Sequence, residues 1–81
     1  SSREVLEVRF GSDRNEQVAP QLEGIGDRVE VLPDRILVYA HDGERALEQV
    51  TAAGLQPLTS LVRRSSLEDV FLRLTGRSLI E

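Results

Sequence analysis

One run of residues, Arg35-Ile36-Leu37-Val38-Tyr39-Ala40-His41, constrains this chain more than any other part of it. Its interior is apolar without alternation and rich in β-branched and aromatic residues. A strand that reads this way is buried on both faces and belongs at the middle of a sheet. Just before it, Arg28-Val29-Glu30-Val31-Leu32 alternates, and Pro33-Asp34 is a turn with proline pre-set for its second position. The two segments, 28–32 and 35–41, read together as a hairpin. A sheet with a doubly buried strand needs material on at least one side, so the rest of the chain must supply helices.

It does so in a regular order. Residues 4–10 read as a strand, with Leu6, Val8 and Phe10 on one face and Glu7 and Arg9 on the other. Gly11-Ser12-Asp13 breaks it. Val18, Leu22 and Ile25 then recur at helical spacing and predict a helix over about 15–24, in which Pro20 is tolerated if the helix proper starts near Val18 or Ala19 and so holds it in the first turn. Gly24 and Gly26 stop this helix. Asp42 or Gly43 caps a second helix over 43–53, whose apolar stripe is Ala46, Leu47, Val50 and Ala53. Gly54 stands where a left-handed residue would close it. A strand over 56–63 follows, weakened at its start by Pro57, which suits a sheet edge. Ser65-Ser66-Leu67-Glu68 is a capping box that opens a last helix over 66–75. Leu67, Val70, Phe71 and Leu74 share one side of it, and Arg73 and Arg77 sit near its negative end.

The order β-α-β-β-α-β-α predicts a single α+β domain over 1–81. Its first six elements make a ferredoxin-like four-stranded antiparallel sheet, and a C-terminal helix is appended. Right-handed crossovers place the first two helices on one face. The opposite face must meet water or something else.

Composition removes several function classes. A chain of 81 residues buries only about 60–65% of the surface it exposes when unfolded, so one compact core must hold it. There is no cysteine, and the single histidine cannot make a histidine-based metal centre. The net charge of −4, arginines scattered along the chain, and only Phe10 and Tyr39 as strand aromatics argue against nucleic acid. No apolar run is long enough to span a membrane as a helix. Without lysine, a Walker A loop is impossible. Gly24-Ile25-Gly26 is only a fragment of a dinucleotide fingerprint, because Val29 stands in place of its third glycine. His41, with Asp42 and Glu44 beside it, could carry acid-base chemistry but reads as a loop residue without an orienting partner. Glu68 and Asp69 are explained by capping and by the helix dipole. The loop Gly11-Ser12-Asp13-Arg14-Asn15 lacks the glycine-rich, arginine-ending pattern of small ferredoxin-like acylphosphatases. The chain thus presents no catalytic residue, no metal ligand and no cofactor site. It also lacks methionine, and reads as a piece of a longer polypeptide.

The most specific segment is Ser66-Leu67-Glu68-Asp69-Val70-Phe71-Leu72-Arg73-Leu74-Thr75-Gly76-Arg77. It resembles the closing motif of ATP-binding subunits of ABC transporters, in particular the drug- and antibiotic-exporting, ABC-2 type ATPases of bacteria. That resemblance implies a C-terminal accessory domain for interaction or regulation, with the nucleotide-binding domain, its ATP and its Mg lying before Ser1. This chain would then be no enzyme by itself. Implied partners are its own ATPase core, a second ATPase subunit in a homodimer, and a membrane permease. The implied location is cytoplasmic, peripheral to the inner face of the cell membrane. The motif residues Leu67, Glu68, Asp69, Val70, Phe71, Leu72, Leu74, Thr75 and Gly76 are the candidate contact set, with Leu72 off the main stripe and turned outward. The alternative is a free-standing ferredoxin-like module that binds a small ligand at a dimer seam.

Overall fold

The computed structural model of this chain describes residues 3–11 and 13–65. The predicted helix at 66–75, and with it the whole motif from Leu67 to Gly76, lies outside the described residues.

Four strands form one antiparallel sheet: β1 (Glu4–Arg9), β2 (Arg28–Val31), β3 (Ile36–Ala40) and β4 (Thr59–Arg64), in the spatial order β2-β3-β1-β4. Register fixes which side chains share a face, since Leu6 lies opposite Val38 on one side and Val62 on the other. Every residue of β3 is buried, as its unbroken apolar run requires. The hairpin closes over Pro33-Asp34, where the Leu32 N–H donates to the Arg35 carbonyl at 2.8 Å.

Both crossovers pack on one face, where Leu6, Val8, Ile36 and Val38 meet Val18, Leu22, Ala46 and Val50. The first crossover is shorter in α-helix than its periodicity suggests. Helix α1 covers only Asn15–Val18, and Ala19–Leu22 tighten into a 3-10 turn instead of continuing to residue 24. Pro20 is the cause. It has no N–H to donate four residues back, so the α ladder cannot pass it, while Val18, Ala19 and Leu22 still reach the core. Gly26 then brings the chain beside β3, with its φ at +70° and a Cβ there only 2.6 Å from the Tyr39 carbonyl oxygen. The neighbouring Asp27 N–H donates to that same oxygen at 2.7 Å.

Helix α2 (Gly43–Ala52) is better terminated. Asp42 accepts from the Arg45 N–H at 3.2 Å. At the other end the Gly54 N–H donates to Thr51 and the Leu55 N–H to Val50, a Schellman closure with Gly54 at φ +86°.

Strand boundaries also differ from expectation: β2 stops at Val31 instead of residue 32, β3 covers 36–40 instead of 35–41, and β1 and β4 change for identifiable reasons. β1 ends at Arg9, because the Phe10 N–H turns to the Asn15 side-chain oxygen at 3.0 Å. β4 runs from Thr59 to Arg64 instead of 56–63. Pro57 cannot donate, and the first bond to β1 comes from the Leu58 N–H to the Arg9 carbonyl at 2.6 Å.

Candidate functional site

The sheet face turned away from α1 and α2 carries both apolar and charged side chains. Strand alternation places Val5 and Glu7 of β1 there, with Leu37 and Tyr39 of β3 and Leu61 and Arg63 of β4. Val5, Leu37 and Tyr39 form a small cluster, with Leu32 packed against it. Around this cluster lie ion pairs. Glu7 accepts from Arg35 NH1 at 3.1 Å through one oxygen and from Arg63 Nε through the other. Arg28 NH2 donates to Glu30 at 2.8 Å. Such half-buried forks fix geometry more than they add stability, because desolvation offsets most of the Coulomb gain.

Arg35 has a second carboxylate. Its Nε and NH2 reach the two oxygens of Asp34 at 3.2 and 3.0 Å. These hydrogen bonds hold the Asp34 carboxyl below its usual value, and the same contact raises the Arg35 guanidinium above its own.

At the far side of the sheet a shallow cleft of about 320 Å³ lies between the Gly24–Asp27 loop and the start of α2. His41, Asp42 and Arg45 line it, and this is where an acid-base pair would sit. The histidine is exposed, with Nε2 4.0 Å from an Asp27 oxygen. Asp42 is occupied as the cap of α2. Glu44 lies in the first turn of that helix and is exposed. Sequence neighbours therefore do not become a catalytic pair here. In the loop after β1, Asn15 is buried and bonded to the Phe10 N–H, and Arg14 is exposed, so these two are not brought together over a common cavity. Among the described residues no three His, Asp or Glu side chains gather as a metal would need. No helix among the described residues is long and apolar enough to cross a membrane.

What the arrangement does offer is surface. Among the described residues β4 is the last strand of the sheet with no strand on its outer edge, and Leu58 and Leu61 beside that edge are 75% and 54% exposed. An edge strand with exposed leucines is a template for contact with another chain segment. Sequence reading placed this strand at an edge through Pro57 but did not single out the two leucines. Alternation would have found Leu61, opposite Glu7 in register.

Residues 13–76 match the family model described as the C-terminal domain of the nodulation factor export protein NodI. Proteins named Nod factor export ATP-binding protein I are similar over most of the chain. The one from Mesorhizobium japonicum is 36% identical over 78 residues, which is 96% of this chain and 22% of the relative. The one from a Rhizobium species is 40% identical over 76 residues, 94% of this chain and 24% of the relative. The one from Sinorhizobium fredii is 36% identical over 76 residues, 94% of this chain and 21% of the relative. The chain spans roughly a fifth to a quarter of the length of these relatives, whose names carry Nod factor where the sequence motif implied drugs and antibiotics. No solved structure matches it.

Proposed function

Because this chain belongs to the family of the C-terminal domain of the nodulation factor export protein NodI, we propose that it is the accessory domain of the ATP-binding subunit of a bacterial ABC exporter. It works by contact and carries no nucleotide chemistry. The observation that supports this most is the family match over 13–76, which takes in both crossovers and the motif at Leu67 to Gly76. The strand order β2-β3-β1-β4, with both helices on one face, agrees with the ferredoxin-like reading of the domain.

In the parent subunit, ATP hydrolysis would belong to the core that precedes this domain, and the exported molecule would be of the Nod factor class named for the relatives. The subunit would sit at the cytoplasmic side of the membrane beside its permease, pairing with a second copy. The open edge of β4, with Leu58 and Leu61, is the part of the described surface best suited to hold such a partner.

Two measurements test the reading. Titration of ATP into the 81-residue chain should give no binding heat. In the full-length subunit, Leu58→Glu with Leu61→Glu should leave nucleotide affinity unchanged and lower subunit pairing or permease-stimulated ATPase rate by about tenfold, on the order expected for losing two interface leucines. Nucleotide binding by the isolated chain, or an unaltered assembly and rate in the double variant, would overturn it.

A further inference from the structure

Among the described residues β4 is bonded to β1 alone. One hydrogen bond fixes which of its backbone groups are used. The Ser65 N–H donates to the Arg3 carbonyl at 3.0 Å, and this pair extends the register in which Glu4 faces Arg64. In an antiparallel ladder, opposed pairs alternate between exchanging hydrogen bonds and not doing so. Arg63 and Leu61 therefore turn their N–H and C=O groups to β1, while Ser60, Val62 and Arg64 turn theirs outward. The Arg64 carbonyl fits this phase, since it accepts from the Arg63 guanidinium at 3.1 Å. Within Thr59–Arg64 there is no proline or glycine to spoil pairing at that edge, and no acid.

We propose that this edge takes β4 of a second copy of the same chain, antiparallel about a two-fold axis at Val62, so that two four-stranded sheets become one. The proposal names the occupant of the edge and rests on the reading of that edge as a contact surface. Two conditions select the register. Opposed residues must share a face, and the pairs that exchange hydrogen bonds must come from the outward-turned residues. Val62 opposite Val62, with Ser60 opposite Arg64, meets both and uses all three outward residues. Leu61 then stands opposite Arg63 of the second copy, whose apolar stem can cover it while Nε stays on Glu7. No arginine meets its own counterpart, since Arg64 and Arg64 of the second copy are about 13 Å apart along the strands.

Charge is what favours a second copy over a foreign strand. Arg45, Ala46 and Gln49 line the cleft on the β2 side of α2. At 3.6 residues per turn, Glu44, Glu48 and Thr51 fall on the other flank, toward β4, and all three are exposed. That flank carries acids and no base, whereas the strand below it ends in arginine. Gly43 lies over Val62, where a Cβ would come 2.5 Å from the valine Cγ1. Glu48 is about 7 Å further along the helix, and Ser60 is about 7 Å back along the strand. Glu48 thus stands over the level of Ser60, where the two-fold sets Arg64 of the second copy. Each copy supplies the cation that the other's helix flank lacks, twice over by symmetry. A foreign strand would satisfy the backbone without that match.

One strand pair buries far less than the about 1,600 Å² of a stable complex, so the isolated chain should pair with a dissociation constant on the order of 0.1–1 mM. The test is nuclear magnetic resonance on the 81-residue chain across that range. On concentration the amides of Ser60, Val62 and Arg64 should shift, and those of Leu61 and Arg63 should shift less. In a mixture of labelled and unlabelled chains, the Leu61 and Arg63 Hα protons should show a nuclear Overhauser contact between chains. Within one chain these two residues are about 7 Å apart, too far for a strong contact. Arg64→Glu should weaken pairing about fivefold, and adding Glu48→Arg should restore it. Both positions are exposed, so neither change should disturb the fold. The proposal fails if the chain stays monomeric, if the shifts fall on β2 instead, or if the charge swap restores nothing. Should the chain stay monomeric while Leu58→Glu with Leu61→Glu still lowers the permease-stimulated rate of the full-length subunit, self-pairing falls and the contact reading stands.

Discussion

The two faces of this sheet are built by different rules. On the helix side, apolar side chains from every strand meet α1 and α2, and the ends of α2 are closed mostly by near neighbours, as with Asp42 and Arg45 or Gly54 and Thr51, although the Gly43 N–H donates to Glu4, 39 residues away. On the other side, a three-residue apolar centre is framed by ion pairs between distant parts of the chain. Glu7 reaches Arg35, 28 residues away, and Arg63, 56 residues away. The first face follows from hydrophobic period alone. The second exists only once the strands have taken their register, so a register shift would dissolve it and leave the first face inverted.

The sharpest way to break this comparison is to truncate one buried leucine on each face. Leu6→Ala, on the helix side, should cost about 3–4 kcal/mol in denaturant unfolding. Leu37→Ala should cost nearly as much, about 2–4 kcal/mol, because its burial is as complete. Should Leu37→Ala cost under about 1 kcal/mol, as surface substitutions do, the second face is not a core at all.

The same contrast decides what could be read from the sequence. The unbroken run Ile36 to Ala40 reveals a central strand because full burial on both faces demands apolar residues at every position. Asp42 and Gly54 reveal the ends of α2 because capping is local chemistry. Pro20 was visible, but its effect depends on whether the core can still be reached past it; the 3-10 turn reaches it through Leu22. Glu7 reads only as an outward charge until Arg35 and Arg63 arrive on either side, and no spacing rule links positions on β1, on β4 and in the turn before β3. The cleft at His41 shows the converse, since adjacent titratable residues in sequence were parted by the cap of a helix.

Glu7 gives a smaller and more selective test. Glu7→Ala removes the carboxylate that two partly buried guanidinium groups share on the second face, Arg35 keeping only Asp34, and removes nothing from the first. The expected cost is about 1–2 kcal/mol, part of it electrostatic and therefore smaller at 1 M salt than at 0.1 M. Arg63→Ala alone should cost less, since Glu7 keeps Arg35. Equal losses in the two variants, with no salt dependence, would mean that the fork contributes packing only.

The smallest effect is at the rim of the second face, where Asp34 grips Arg35 from the turn. The Arg35 hydrogen bonds hold the Asp34 carboxyl below its ordinary 3.8. A group whose folded value is depressed binds its proton more readily when unfolded, so it stabilises the fold above that ordinary value. The contribution disappears as pH falls through the lower folded value. Asp34→Asn should therefore melt slightly below the parent at pH 7, and the gap should close as the pH falls from 3.8 downward. Because the carboxylate is exposed, the gap should also shrink in salt. A gap that persists undiminished at pH 2 would show that the aspartate serves the turn through its shape and not through its charge.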